Sequence, residues 1–347
     1  MDAARLEQTI KHLLQPGKGI LAADESTTTA GRRLAKIKLE NTELNRHAYR
    51  LMLLSTPGLE QYISGVILVD ETTRQKDEAG LTFPASLTRR GIVAGIKVDR
   101  GLKELPDLPG ESLALGLDDL AERLSRYSKE SEGNLRFTKW RQTISIGTGK
   151  PSSRLMEEGM KRLTEYAVIS QEHGFVPIVE PEVLMDGDHD GQRCEEVTRT
   201  VLSNLFRQLA QAKVTMKYVI LKPNMIVPGA SHPKGRWIPE QVGARTHAVL
   251  HELLPIELPG VAFLSGGMAP RESTANLNAI VQAAQRSGDG RTYTFSFGRA
   301  LQDRALKAWA GRPENIPAAR KKLLEDGEQN GKAQSGRYDP AKDPREE

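Results

Sequence analysis

Short runs of apolar and β-branched residues recur along the chain at nearly regular intervals, separated by longer stretches in which apolar residues fall every third or fourth position. The short runs read as strands buried on both faces and the longer stretches as amphipathic helices. The strand candidates are GILAAD (19–24), YISGVILVDET (62–72), VAGIKVD (93–99), FTKWRQTISIG (137–147), FVPIVEPEV (175–183), YVILKPN (218–224), GVAFLSGG (260–267) and TYTFSFGRA (292–300). Helical spacing is clearest over 118–127, 154–172, 194–212, 239–254 and 274–284. Parallel strands need crossover connections, and eight strands with helical crossovers close most simply as a (β/α)8 TIM barrel. The connections around the third strand, 75–89 and 101–116, read as helix-poor insertions. The N-terminus, MDAARLEQTIKHLL, reads as a preceding amphipathic helix. The barrel is expected to occupy 1–324 as one domain. The charged, glycine-rich stretch 325–347 has almost nothing to bury and is expected to be a flexible C-terminal tail.

The polar residues that interrupt this pattern fall mostly at strand ends. Active sites of (β/α)8 barrels lie at the C-terminal ends of the strands, and there the sequence sets Asp24, Lys97, Asp99, Glu180, Glu182, Lys222, Ser265, Gly266, Gly267, Gly298 and Arg299. Lys139 and Arg141 are two residues apart, as are Glu180 and Glu182, so each pair projects from one face of its strand. Lys222 ends the apolar run Tyr218 to Leu221 and is followed by Pro223, which cannot extend a ladder. A strand-end lysine ordinarily snorkels to water. Here the apolar run argues for a dehydrated amine, and loss of hydration favours the neutral form, a nucleophile toward carbonyls. Glu180 and Asp24 could then exchange protons near neutral pH if burial raises their pKa values. SGG and FGR, at the last two strands, have the glycines and the guanidinium of a phosphate site, with a second anion assigned to Lys97, Arg33 and Arg141. A lysine, carboxylates and two anion sites together suggest imine chemistry on a ketose bisphosphate.

Composition narrows the alternatives. Forty-nine Lys plus Arg stand against 45 Asp plus Glu, too even a balance to argue for nucleic acid or membrane binding. The single cysteine, Cys194, excludes an intrachain disulfide. With no apolar run long enough to span a bilayer, a cytoplasmic protein is expected. Asp186, Asp188 and Asp190 imitate an EF-hand loop, but Val197 stands where the bidentate glutamate belongs. His247 and His251 lie one helical turn apart without the HExxH pattern and read as a solvated helix face. No metal or other cofactor is expected.

GILAADEST, SGVILVDET, GIKVD, KWR, PIVEPE, LKPN, FLSGG and FSFGRALQ with LKAW together resemble class I fructose-1,6-bisphosphate aldolase, the metal-independent Schiff-base enzyme. The resemblance runs in order from Gly19 to Trp309. It implies Lys222 as the Schiff-base lysine, Glu180 as the main proton acceptor and donor, and Asp24 at the substrate hydroxyls and C–C cleavage. It further implies Glu182 and Lys139 as supporting charges, and Ser265, Gly266, Gly267, Ser296, Gly298 and Arg299 as the phosphate site of the ketone half. Arg33, Arg46, Lys97 and Arg141 are implied in binding the substrate or its other phosphate. Sedoheptulose 1,7-bisphosphate is implied as a second substrate and a homotetramer as the assembly. Animal members carry a C-terminal tyrosine that helps protonate the enamine; the last tyrosine here is Tyr338, so that role is expected to be unfilled or differently filled. Another lysine-dependent barrel enzyme, such as a transaldolase or single-phosphate aldolase, and an idle homologue serving as a binding scaffold are the alternatives.

Overall fold

A computed structural model of the chain describes residues 2–345. Eight strands close a parallel barrel: β1 (Gly19–Ala22), β2 (Ile63–Leu68), β3 (Val93–Lys97), β6 (Leu135–Ile144), β7 (Val176–Val183), β8 (Ile220–Leu221), β9 (Gly260–Phe263) and β10 (Thr292–Phe297). They pair in chain order around the ring, and β10 returns to β1 through Ile20 opposite Ser296. The two remaining strands, β4 (Leu102–Leu105) and β5 (Leu108–Ala114), form an antiparallel hairpin in one of the stretches expected to be loop. The other such stretch, 75–89, contains the short helix α5 (Phe83–Arg89), with proline in its first turn; just before it, α4 (Asp70–Arg74) winds the end of the second strand candidate into helix, so that strand stops at Leu68.

The longer helices are α1 (Ala3–Leu13), α2 (Thr27–Ala35), α3 (Glu43–Leu54), α6 (Leu120–Glu130), α7 (Ser153–Glu172), α8 (Gly191–Gln211), α9 (Pro239–Leu253), α10 (Pro270–Ser287), α11 (Arg299–Trp309) and α12 (Ile316–Gln334). Several start where a short polar side chain caps the first free N–H groups: Asp2, Ser26, Thr42, Ser152 and Asp190 each accept from a backbone N–H three residues on. Capping α8 is thus the structural role of Asp190, the last aspartate of the EF-hand-like run.

The two-residue period of the strands sorts their side chains into two cores. Leu21, Val66, Ala94, Trp140, Val179, Leu221 and Val261 pack outward in the cluster shared with the helices. Ile20, Ile67, Phe137, Ile178 and Ile220 point the other way and meet Leu6, Ile10 and Leu13 of α1. The inward series continues upward as Ala22 to Asp24, Phe137 to Lys139, Ile178 to Glu180 and Ile220 to Lys222. Alternation therefore carries the interior from apolar, where the strands begin and α1 closes the barrel, to charged, where they end.

The segment 325–347 differs from its expected form. Helix α12 runs on to Gln334, and Tyr338 and Arg345 are buried. Arg345 meets Asp326 at 3.3 Å and Asp343 at 2.7 Å, and its guanidinium also donates to Thr274 Oγ1 of α10 at 3.1 Å. Glycine and charge in the sequence hid this because Gly327 and Gly331 permit close packing, against Tyr62 and the Gly17 carbonyl respectively. Residues 346 and 347 lie outside the described residues.

Candidate active site

A cleft of about 1230 Å³ opens at the C-terminal ends of the strands. Its floor is a line of four charged side chains from four strands. Asp24 follows β1, Lys139 lies in β6, Glu180 in β7, and Lys222 follows β8. Lys139 Nζ stands 2.8 Å from Asp24 Oδ2 and 2.7 Å from Glu180 Oε2, and Lys222 Nζ stands 3.0 Å from Glu180 Oε1. Register brings them together: Lys139 pairs with Ile178, Arg141 with Glu180, and Ile178 with Ile220. Only Ile220 and Leu221 form ladder, a shorter strand than the apolar run suggested, because Met216–Tyr218 winds into a 3₁₀ turn. The Lys222 N–H still donates to the Val179 carbonyl at 2.8 Å, so the lysine backbone is held at the end of the sheet.

Lys139, Glu180 and Lys222 are each no more than 4 % exposed. Burial pushes the Asp24 carboxyl up, but Lys139, Lys222 and Lys97 together outweigh it and hold the group well below the usual carboxylate range. Glu180 follows the same pattern: burial opposes its charge, and Lys139, Lys222 and Arg141 draw it down. Lys139, penalised by burial but flanked by Asp24 and Glu180, is pushed far above the ordinary lysine value. The expectation that burial raises the two carboxyls to near neutrality is thereby corrected. Cations from neighbouring strands win over desolvation, so both carboxyls are held ionised.

On one side of this floor the chain bends tightly after β9. Ser265 is buried, Gly266 and Gly267 have φ of 57° and 103°, a region open to glycine, and a Cβ on Gly267 would lie 2.9 Å from the Arg299 guanidinium. Beyond β10, Gly298 precedes α11, whose N-terminus carries Arg299 and directs free N–H groups toward the cleft. Ser296 Oγ, pointing inward from β10, is buried with no hydrogen-bond partner. A buried, unsatisfied hydroxyl beside a helix N-terminus and a guanidinium suits an anion's oxygens. Arg33 belongs with this group: its guanidinium comes within 3.5 Å of where a Gly298 Cβ would stand. It pairs with Glu25 at 2.8 Å and donates to Gln302 at 2.7 Å. Its expected partners Lys97 and Arg141 lie across the cleft, where Lys97 meets Asp99 at 2.5 Å and Arg141 meets Glu182.

The other sequence-predicted residues divide. Glu182, Lys97, Arg141, Ser265, Gly266, Ser296, Gly298 and Arg299 line the cleft, with Gly267 directly behind Arg299. Arg46 does not. It forks onto Glu71 at 2.9 and 2.5 Å and borders a small neighbouring recess with Tyr49 and Arg50. The α2 N-terminus, Ser26 to Thr29, also lines the cleft, as do Arg32, Lys36, Arg100 and Arg126, and none was singled out from the sequence. The signal for the first was present: Ser26 caps a helix that begins straight after a strand-end aspartate. Tyr338 is buried away from the cleft and donates to Asp343 at 2.6 Å. Cys194 is buried and burial pushes its thiol up, as for an unreactive cysteine.

Comparison with known proteins gives one consistent result. The family model for class-I fructose-bisphosphate aldolase matches residues 5–347. Fructose-bisphosphate aldolase 2 of Caenorhabditis elegans is 47% identical over 333 residues, 96% of this chain and 89% of that protein. The cytosolic fructose-bisphosphate aldolase 5 of Arabidopsis thaliana is 45% identical over 97% of this chain and 92% of its own length. The chloroplastic aldolase 3 of the same plant is 47% identical over 96% of this chain and 83% of its own. Among solved structures, the fructose-bisphosphate aldolase of Plasmodium falciparum, crystallised with TRAP and a small-molecule inhibitor, superposes with a TM-score of 0.92. It is 43% identical and covers 97% of this chain and 96% of that one.

Proposed function

The chain belongs to the class-I fructose-bisphosphate aldolase family, and on that premise we propose that it cleaves fructose 1,6-bisphosphate reversibly to dihydroxyacetone phosphate and glyceraldehyde 3-phosphate through an imine on Lys222. The observation that carries this reading is the buried sequence Asp24, Lys139, Glu180, Lys222, in which each group lies 2.7 to 3.0 Å from the next. Glu180, held ionised, takes the proton that Lys222 must lose before its amine adds to C2 of the open-chain ketose. The resulting carboxylic acid returns that proton to the C2 hydroxyl, which leaves as water, and an iminium forms.

Asp24, ionised and braced by Lys139, takes the proton of the C4 hydroxyl. The C3–C4 electron pair then moves into the iminium, the aldehyde departs, and an enamine remains. Protonation at C3 and hydrolysis release dihydroxyacetone phosphate and restore Lys222. Lys139 stays positive between both carboxylates, and with the iminium it supplies electrophilic stabilisation, so the reaction runs without a metal.

The phosphate of the ketone half is assigned to Ser265, Gly266, Gly267, Ser296, Gly298 and Arg299, joined by Arg33. The second phosphate is assigned to Lys97 and Arg141 with the α2 N-terminus, two sites on opposite sides of the imine lysine. Sedoheptulose 1,7-bisphosphate carries the same two phosphates on a longer chain and is proposed as a second substrate. A cytoplasmic location and a homotetramer complete the proposal. No helix among the described residues is long and apolar enough to cross a membrane, and neither a membrane nor nucleic acid is proposed as a partner.

Borohydride trapping with dihydroxyacetone phosphate in EDTA, followed by peptide mapping, tests the mechanism. A stable adduct on Lys222 is expected. A folded protein that gives no adduct would refute the imine and favour a scaffold role.

A further inference from the structure

Gln302 lies in the first turn of α11, the helix whose N-terminus faces the cleft, and is fully buried. Its side-chain amide has partners on both sides. Oε1 accepts from Arg33 Nη1 of α2 at 2.7 Å and from the Tyr49 hydroxyl of α3 at 2.7 Å. Nε2 donates to the Ala22 carbonyl, at the end of β1, at 2.6 Å. These partners fix which way the amide faces, because a guanidinium can only donate and a carbonyl can only accept. Tyr49 keeps its proton for the bond, since burial pushes its hydroxyl well above the ordinary value.

The carboxylates beside Arg33 are Glu25, 2.8 Å from Nη1 and shared with Arg50 at 2.5 Å, and Asp303 at 4.0 Å. Each competes with a phosphate for the same cation. Gln302 orients the guanidinium through a neutral oxygen, which leaves its charge for a ligand. The backbone converges on the same place. A Cβ on Gly298 would stand 3.3 Å from the Ala22 carbonyl oxygen and 3.5 Å from Arg33 Nη2, so the start of α11, the end of β1 and Arg33 meet around one amide.

We propose that Gln302 is a positioning residue for the phosphate of the ketone half: its amide holds Arg33 at the α11 N-terminus and ties that pocket to the strand that leads to Asp24. The inference rests on the phosphate assignment made above. Gln302 touches no substrate atom and acts through Arg33. A hydrocarbon at this position would leave Arg33 to its two carboxylates, and the Tyr49 hydroxyl and Ala22 carbonyl would lose a buried partner. A carboxylate there would keep the acceptor but set a further close anion on Arg33, so that the cation is neutralised before phosphate arrives. An amide alone orients Arg33 without discharging it and still donates to Ala22.

The test titrates full-length protein with dihydroxyacetone phosphate by calorimetry and measures KM and kcat with fructose 1-phosphate. Gln302→Met, similar in length and without hydrogen-bonding groups of comparable strength, is expected to weaken binding by about tenfold or more and to raise KM far more than it lowers kcat. Gln302→Glu is expected to weaken binding as well, and it carries the test if the methionine variant does not fold. In an Arg33→Ala background neither substitution is expected to weaken binding by more than about twofold further, because the group through which Gln302 acts is gone. Native affinity in either folded variant, or equal losses with Arg33 present and absent, would overturn the proposal. Calorimetry reads the phosphate site whether or not an imine forms. A native protein that binds dihydroxyacetone phosphate without giving a borohydride adduct would therefore refute the imine alone, and the Gln302 variants would still decide this inference.

Discussion

Replacing Lys139 by methionine removes the cation that keeps two buried carboxylates ionised while leaving a side chain of similar length. At an effective dielectric constant of about 20, the pairs at 2.8 and 2.7 Å are each worth about 6 kcal/mol of Coulomb attraction. That figure is a ceiling, since Lys222 remains and water enters the gap, but both carboxyls are expected to titrate at higher pH than in the native protein. In the native protein Asp24 and Glu180 titrate below their unfolded values. They therefore contribute stability at pH 7 that is lost only as pH falls below about 4 toward the folded-state values. In Lys139→Met the acid limb of kcat/KM moves to higher pH, because the two bases protonate sooner. At pH 7, where both carboxylates stay ionised, kcat falls by about 10²- to 10³-fold through loss of the stabilising cation. Breaking the buried pairs costs about 3 to 5 kcal/mol of folding stability. Coupled-enzyme assays from pH 4.5 to 9 and urea denaturation measure the two effects. An acid limb and denaturation midpoint matching the native protein would show that Lys139 does not set the charge state of the floor.

Lys222→Met is expected to give no borohydride adduct and no turnover above background, with the fold unchanged by circular dichroism. Arg299→Ala loses charge-assisted bonds worth about 1.5 to 3 kcal/mol, a decrease of about 10- to 150-fold in kcat/KM, and equally for fructose 1,6-bisphosphate and fructose 1-phosphate. Arg141→Met, on the far side of the cleft, is expected to impair the bisphosphate while sparing fructose 1-phosphate; equal losses would remove it from the second phosphate site. Arg345→Ala leaves Asp326 facing Arg304 alone, at 3.0 Å, and is expected to cost about 3 kcal/mol in denaturation, with activity intact below the transition.

Much of this molecule follows from short-range rules that a chain carries on its face. Apolar runs of strand length, broken by glycine or proline and alternating with helical spacing, determined the eight barrel strands. Because side chains alternate along a strand, the same pattern determined that Glu180 and Glu182 share a face, as do Lys139 and Arg141. The identity of the strand-end residues, with Lys222 before Pro223, was enough to mark the floor of the cleft. Other features depended on distance in space. The β4–β5 hairpin was missed because its proline and glycine content weakens strand periodicity. The C-terminal segment read as tail because burial of Arg345 requires Asp326 and Thr274, which only folding brings near. Arg46 and Arg33 look alike in sequence, yet Glu71 holds one outside the cleft while Glu25 and Gln302 hold the other within it. The ionisation of Asp24 and Glu180 went the same way. Sequence could supply burial, which raises a carboxyl, but not the separation from lysines on neighbouring strands, and at under 3 Å that attraction is the larger effect. Residue type and order thus determined which groups the chemistry could draw on. The tertiary structure decided their charges and partners, because electrostatic energy depends on distances that the barrel's closure alone sets.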